Sequence, residues 1–82
     1  MELSKHFLEM INERKISDKW IKDCLEATDL VENEYGVRHY IKLISEANNR
    51  WLRVIINIES SPNIAITCFF DRRLRRKHEN KS

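Results

Sequence analysis

Histidine, arginine and hydroxyl side chains in this sequence could together act on a phosphodiester. Cleavage of RNA without a metal needs a base for the 2′-OH proton, cations for the phosphorane charge, and an acid for the leaving oxygen. His6 or His39 can serve as acid or base, because an unperturbed histidine titrates near neutral pH. Arg38 and Arg53 can bind the phosphate. The alternative for each histidine is an ordinary structural or surface residue.

Basic side chains also alternate with aromatic ones in the second half of the chain. Arginine and lysine bind phosphates, and tyrosine or phenylalanine rings stack on unpaired bases, so this pattern is typical of single-stranded RNA binding. Tyr40 or Thr67 could orient the phosphate by hydrogen bonding. A partly exposed, partner-binding sheet face is the alternative. The side chains that carry this pattern are Arg38, Tyr40, Lys42, Arg53 and Phe69.

The stretch TCFFDRRLRRK, residues 67–77, passes directly from strand-like residues to a run of cations. We expect Arg72 and Arg73 to emerge at the edge of a sheet, where they can contact RNA. The remaining cations, Arg75, Arg76 and Lys77, precede the polar end ENKS. Residues 75–82 are therefore predicted to be a solvated basic tail, and residues 1–74 a single domain.

Composition excludes several other classes of protein. The chain has 82 residues, 41% of them hydrophobic and 34% charged, which is typical of one folded domain. A core of this size gives only a small stability margin, so a partner or dimer surface would not be surprising. It has no apolar run long enough to span a bilayer and no signal-peptide pattern, so we expect a cytoplasmic protein. Cys24 and Cys68 lack zinc-ligand spacing and are predicted to be buried free thiols, and no cofactor is implied.

Charge is distributed unevenly along the chain. Residues 1–36 hold five Lys/Arg against nine Asp/Glu, whereas residues 37–82 hold ten against four. An acidic half and a basic half predict one face that binds an anionic partner.

Hydrophobic periodicity predicts an α+β fold. Apolar residues at helical spacing indicate a helix over 2–14 and a second helix that begins after the N-cap Ser17 and ends near residue 27. Strand-like segments follow at 37–45, 51–59 and 63–70, with a turn at Gly36 after a short apolar piece. We predict two N-terminal helices packed on one face of a three- to four-stranded antiparallel sheet.

Side-chain alternation then assigns residues to the two faces of the sheet. With Leu52 and Val54 facing the helices, a four-residue turn at 47–50 places Ile41 on the same face, together with His39. A three-residue turn at 60–62 adds Ile64, Ile66, Cys68 and Phe70 to this face. The opposite face is predicted to carry Arg38, Tyr40, Lys42, Arg53, Ile55, Asn57, Thr67, Phe69 and Asp71.

His6, Met10 and Arg14 recur at four-residue steps, so they lie on one face of the first helix. His6 and Arg14 would be about 12 Å apart along the helix axis, too far for direct contact. They could line one edge of a groove together, or simply flank the apolar stripe of the helix.

Two segments resemble a family of small bacterial domains of unknown function. In KHFLEMINERKIS, residues 5–17, the matching residues are His6, Met10, Arg14, Ile16 and Ser17. In LRVIINIESSPNIAITCFFDRR, residues 52–73, they are Arg53, Val54 and Thr67. The chain departs from the family pattern at Lys15, where a glycine is usual. In layout the family is similar to the RelE and BrnT toxins of bacterial toxin–antitoxin systems, which belong to a ribonuclease superfamily with barnase and colicin-type nucleases.

The resemblance implies a RelE-like fold and metal-independent RNA cleavage in a groove at His6, Arg14, Arg53 and Thr67. On this hypothesis His6 is the acid or base, Arg14 and Arg53 complete the catalytic set, and an acidic antitoxin protein neutralises the enzyme. Further RNA contacts would come from Arg38, Tyr40, Lys42, Thr67, Arg72 and Arg73. The alternatives are a non-catalytic RNA-binding or protein-interaction module with the same fold, and a relative that retains only the fold.

Overall fold

The computed structural model describes residues 2–74, so the predicted tail at 75–82 lies outside the described residues. The fold is α+β, as the sequence predicts, but the sheet is larger and mixed. It has five strands in the order β1-β5-β4-β3-β2, with β1 parallel to β5 and the other pairs antiparallel. The elements are β1 (Glu2–Leu3), α1 (Lys5–Arg14), α2 (Asp18–Glu26), β2 (Leu30–Glu34), β3 (Val37–Ile44), a 3₁₀ turn (Ser45–Ala47), β4 (Arg50–Asn57) and β5 (Ile64–Phe70).

Both helices begin at serine caps. The Ser4 hydroxyl accepts the Phe7 N–H at 3.0 Å, and the Ser17 hydroxyl accepts the Lys19 N–H at 3.1 Å. The first helix starts at Lys5 rather than at residue 2, because Glu2 and Leu3 pair with β5. Lys15 ends this helix in the left-handed conformation, with φ of 55°.

The hydrophobic core joins side chains from both helices to three strands. α1 contacts β5, whereas α2 contacts β3 and β4. Phe7, Cys24, Leu52, Val54 and Cys68 have no exposed surface. The other buried members of this core are Ile11, Ile16, Ile21, Ile44, Ala47, Ile56 and Ala65.

The predicted register of β3 against β4 is wrong by an odd number of residues. Ile41 lies opposite Arg53, instead of opposite Ile56 as a four-residue turn requires. The connection is longer than predicted, because the 3₁₀ turn is followed by Asn48 and Asn49, both with positive φ. An odd shift inverts every side chain of a strand. β3 therefore turns Arg38, Tyr40 and Lys42 toward the helix side, and Val37, His39, Ile41 and Leu43 toward the other side.

The face that carries Arg53, His39, Ile41, Thr67 and Phe69 is called the open face below, to distinguish it from the core side. α1 reaches its β5 edge, where Met10 lies against Thr67, and Ile41 on this face has no exposed surface. The alternation predicted for the end of β5 is confirmed, because Cys68 pairs with Val54 on the core side. The predicted core placement of Ile64 and Ile66 is wrong, because a bulge at Ile55–Ile56 breaks the alternation and Ala65 enters the core instead.

The glycine turn is a tight hairpin between β2 and β3. Glu34 pairs with Val37, and the two loop residues Tyr35 and Gly36 both have positive φ, 41° and 79°. This is the geometry of a type I′ turn, which matches the twist of the flanking strands. The short apolar piece at Leu30–Val31 is thus the start of a full edge strand.

The two cysteines are buried free thiols, as predicted. Burial raises the pKa of Cys24 to about 12 and that of Cys68 to about 11, the latter in spite of the Arg14 charge. We expect neither thiol to react with Ellman's reagent at pH 8 while the protein is folded, and both to react in urea. Fast reaction of either thiol in the native protein would contradict this burial.

Within residues 2–74 no helix is long and apolar enough to cross a membrane. The same residues contain no group of three or more His, Cys, Asp or Glu arranged to hold a metal ion.

Candidate functional site

A groove of about 170 Å³ lies between α1 and β5. Its lining includes His6, Arg14 and Thr67, three of the predicted site residues, although 53 positions separate Arg14 from Thr67 in the sequence. The helix presents the first two because they are eight residues apart, close to two turns. The remaining lining residues are Glu9, Met10 and Glu13.

Arg14 is held against the free edge of β5. Its Nη1 donates a hydrogen bond to the Cys68 carbonyl at 2.7 Å. Within residues 2–74 this is the one hydrogen bond of the guanidinium, so the other nitrogens remain available to an anion in the groove. The sheet edge therefore fixes the position of the charge without neutralising it.

Thr67 projects into the same groove. Its hydroxyl lies 2.9 Å from the Met10 sulfur, to which it donates. A thioether is a weak acceptor, so a phosphate oxygen can replace it as the partner of this hydroxyl at little cost.

Two acidic residues of the groove, Glu9 and Glu13, are not among the predicted site residues. They lie three residues after His6 and three after Met10, so helical spacing alone could have identified them. With His6 neutral, two carboxylates and one guanidinium give the groove a formal charge of −1. The groove thus offers acid–base groups but little net attraction for phosphate.

Arg53 does not reach this groove. It lies on the open face, where its side chain is only 9% exposed. Its Nε donates to Asp71 Oδ2 at 2.9 Å, and its Nη1 lies 2.9 Å from Glu32 Oε1 and 2.7 Å from His39 Nδ1. Two carboxylates therefore already occupy this guanidinium.

Asp71 is the buried centre of this cluster, 3% exposed. Burial by itself would raise the pKa of Asp71. Hydrogen bonds from the side chain and backbone N–H of Arg73, together with the hydrogen bond and charge of Arg53, outweigh burial and hold the pKa below its ordinary value. The carboxylate is ionised at neutral pH and holds Arg73, at the start of the C-terminal segment, against the sheet.

The depressed pKa of Asp71 makes part of the stability depend on pH. A carboxyl whose pKa is lower in the folded state contributes stability that is present above the unfolded pKa, about 3.9. This contribution is lost as pH falls through the folded value. We expect the urea midpoint difference between the parent and Asp71→Asn to be constant from pH 7 to 5 and to shrink below about pH 4. A difference that does not change with pH would contradict this role.

The predicted RNA-binding residues of β3 lie elsewhere. Arg38 donates from Nε to Asn33 Oδ1 at 2.8 Å and from Nη1 to the Tyr40 hydroxyl at 3.3 Å. Lys42 donates to the Ala27 carbonyl at 3.0 Å, beside Asp29. These side chains form a polar rim on the helix side of β3, away from both Arg53 and the α1–β5 groove.

Arg72 and Arg73 come after Asp71, which follows the last residue of β5, and both are exposed. Arg73 remains 85% exposed although it contacts Asp71. His39 lies beside Arg53 on the open face, contrary to its predicted place in the core, because of the register of β3. The odd register shift of β3 therefore places His39 on the open face, where Tyr40 was predicted.

The family model that matches is described as Domain of unknown function (DUF4258), over residues 3–70. This match covers most of the chain, so the chain belongs to the DUF4258 family. No curated protein and no solved structure matches the chain.

Proposed function

We propose that this member of the DUF4258 family is a metal-independent ribonuclease whose reaction takes place in the α1–β5 groove. The convergence of His6, Arg14 and Thr67 from α1 and β5 on that groove carries the proposal. A histidine can transfer a proton, an arginine can stabilise the charge on the phosphorane, and a hydroxyl can orient the phosphate by hydrogen bonding.

Each groove residue has a distinct role. His6 transfers a proton, and a groove carboxylate, Glu9 or Glu13, is placed to take the opposite acid–base role. Arg14, whose Nη1 is fixed by the Cys68 carbonyl, presents its other nitrogens to the phosphate oxygens. The Thr67 hydroxyl turns from the Met10 sulfur to the phosphate.

Cations outside the groove supply the attraction for RNA, since the groove itself has a formal charge of −1 with His6 neutral. Arg72 and Arg73 are the nearest candidates by position, because β5 runs from Thr67 directly to them. Arg53 is assigned a structural role, since its carboxylate partners leave it no room to bind phosphate.

The test is cleavage of a single-stranded RNA by the purified chain in excess EDTA. Attack by the 2′-OH leaves a 2′,3′-cyclic phosphate, so the product should carry that end group. DNA and 2′-O-methyl RNA of the same sequence lack the nucleophile and should remain intact. Cleavage that requires Mg²⁺, or that also acts on the methylated strand, would exclude this mechanism.

A RelE-like toxin, neutralised by an acidic antitoxin protein, is the biological role that we propose for this activity. The order of two helices followed by an antiparallel β2–β5 set supports the likeness to RelE and BrnT toxins. The basic second half of the chain supports an acidic partner. Induced expression should arrest bacterial growth, and the His6→Ala variant at equal protein level should not. Equal growth arrest by the parent and by His6→Ala would mean that toxicity does not depend on catalysis in the groove.

A non-catalytic RNA-binding module is the second candidate, and its RNA would lie outside the groove, because Glu9 and Glu13 repel phosphate. Phe69, half-buried on the open face, lies two residues from Thr67 and could stack on a base. A binding module would bind RNA with an affinity that falls steeply with salt and would release no product.

A further inference from the structure

The backbone groups at the two edges of the sheet differ in whether they have hydrogen-bond partners. At the β5 edge, β1 pairs with Ile64 and Ala65, the Asn63 carbonyl accepts the Glu2 N–H, and Arg14 bonds the Cys68 carbonyl. At the β2 edge, no strand or helix within residues 2–74 pairs with the outer side of Leu30–Glu34. All five residues of β2 are exposed. The two edges thus differ in whether their backbone groups have partners.

The geometry of the hairpin shows which backbone groups of β2 point outward. A two-residue type I′ turn is closed by a hydrogen-bonded pair, here Glu34 and Val37. Hydrogen-bonded pairs alternate along an antiparallel ladder, so Val31 and Asn33 direct their N–H and C=O groups away from β3. The strand is straight in register over its full length, without a bulge. It therefore presents a regular template for one more strand.

The side chains of this edge select the chemistry of its partner. Glu32 and Glu34 project on the open face at alternate positions, and Val31, 47% exposed, projects on the other. A strand that pairs here places its own alternate side chains about 5 Å from these two positions. Cations are favourable there, most of all beside Glu34, because Glu32 already bonds Arg53 at 2.9 Å. We propose that β2 is a docking edge for an extended segment of a partner protein that carries Lys or Arg at alternate positions.

A second copy of this chain fits the edge poorly. Two β2 strands paired antiparallel about their centre would bring Glu32 of one copy directly opposite Glu32 of the other, and Glu34 opposite Leu30. Like charges directly opposite each other destabilise a strand pair. The carboxylates therefore oppose self-pairing and at the same time select a basic partner.

The test uses the full chain and a short acetylated peptide in which lysine alternates with threonine. We expect binding that weakens with salt and slows hydrogen exchange at the Val31 and Asn33 amides by about tenfold or more, because both become hydrogen-bonded. A lysine–proline repeat of equal charge cannot add to a sheet and should give no such protection. Glu34→Gln should weaken binding about two- to fivefold, and the matched change Glu46→Gln, on the β3–β4 turn, should not.

Val31→Pro supplies an independent check. This residue's N–H points away from β3, so proline blocks the outer edge without removing a β2–β3 hydrogen bond. The variant should fold and lose peptide binding. Equal binding of the lysine–proline peptide, or unchanged exchange at both amides, would overturn the proposal. Concentration-dependent dimerisation with protection at the same amides would assign the edge to a second copy instead, which also overturns it.

Discussion

The His6→Ala variant is expected to cleave RNA about 10²- to 10⁴-fold more slowly than the parent in EDTA, the usual loss when a general acid or base is removed. His6 is exposed on α1 and has no hydrogen bond within residues 2–74, so the substitution should not disturb the fold. Initial rates on a fluorogenic RNA, with circular dichroism of each variant, measure this effect.

Control variants distinguish the groove from a general loss of charge. Arg14→Lys retains the charge but not the forked geometry, and it should lose most of the activity. Thr67→Val removes the hydroxyl from the same groove at nearly constant volume and should have a smaller effect. His39→Ala is the matched histidine control, because His39 lies on the open face. If His39→Ala loses activity and His6→Ala keeps it, the reaction takes place beside His39 and Arg53, and the proposed groove is wrong.

Local chemistry explains which parts of this fold could be predicted. Ser17 begins the second helix, and Gly36 marks the hairpin, because each residue type satisfies a specific backbone requirement. The same is true of the Cys68–Phe70 alternation, since β-strands place successive residues on opposite faces.

The faces that were predicted wrongly depended on the lengths of the turns between strands. Two left-handed asparagines, Asn48 and Asn49, extend the β3–β4 turn, and nothing in their neighbours distinguishes this turn from a shorter one. That difference alone moved Tyr40 to the helix side and His39 to the open face. The His6–Arg14 side of the groove could be predicted from the sequence, because both residues lie on one helix and the helical period is fixed. The placement of Arg53 was not, since its partner Asp71 is distant in sequence and meets it only in the folded sheet.

Replacing Arg53 by alanine is expected to lower the free energy of unfolding by about 3–5 kcal/mol. The change removes the Arg53 Nε that bonds the buried Asp71 carboxylate at 2.9 Å. The remaining cation, Arg73, is 85% exposed and reaches Asp71 only at 3.4 Å, so it compensates poorly. A domain of this size has a margin of only about 3–5 kcal/mol without staples, so the variant should be largely unfolded. Arg38→Ala is the matched control, because Arg38 bonds only Asn33 and Tyr40 within residues 2–74 and should cost less than about 1 kcal/mol. Urea unfolding followed by circular dichroism measures both.

A double-mutant cycle separates the ion pair from the packing of the arginine stem. In an Asp71→Asn background there is no buried charge to strand, while the amide oxygen can still accept the Arg73 N–H. Arg53→Met should therefore cost at least about 2 kcal/mol less in that background than in the parent. Such coupling means that a loss of RNA cleavage in Arg53→Ala reports unfolding, not a missing phosphate ligand. Full stability of Arg53→Ala with activity abolished would reverse that conclusion and place the reacting phosphate beside Arg53 on the open face.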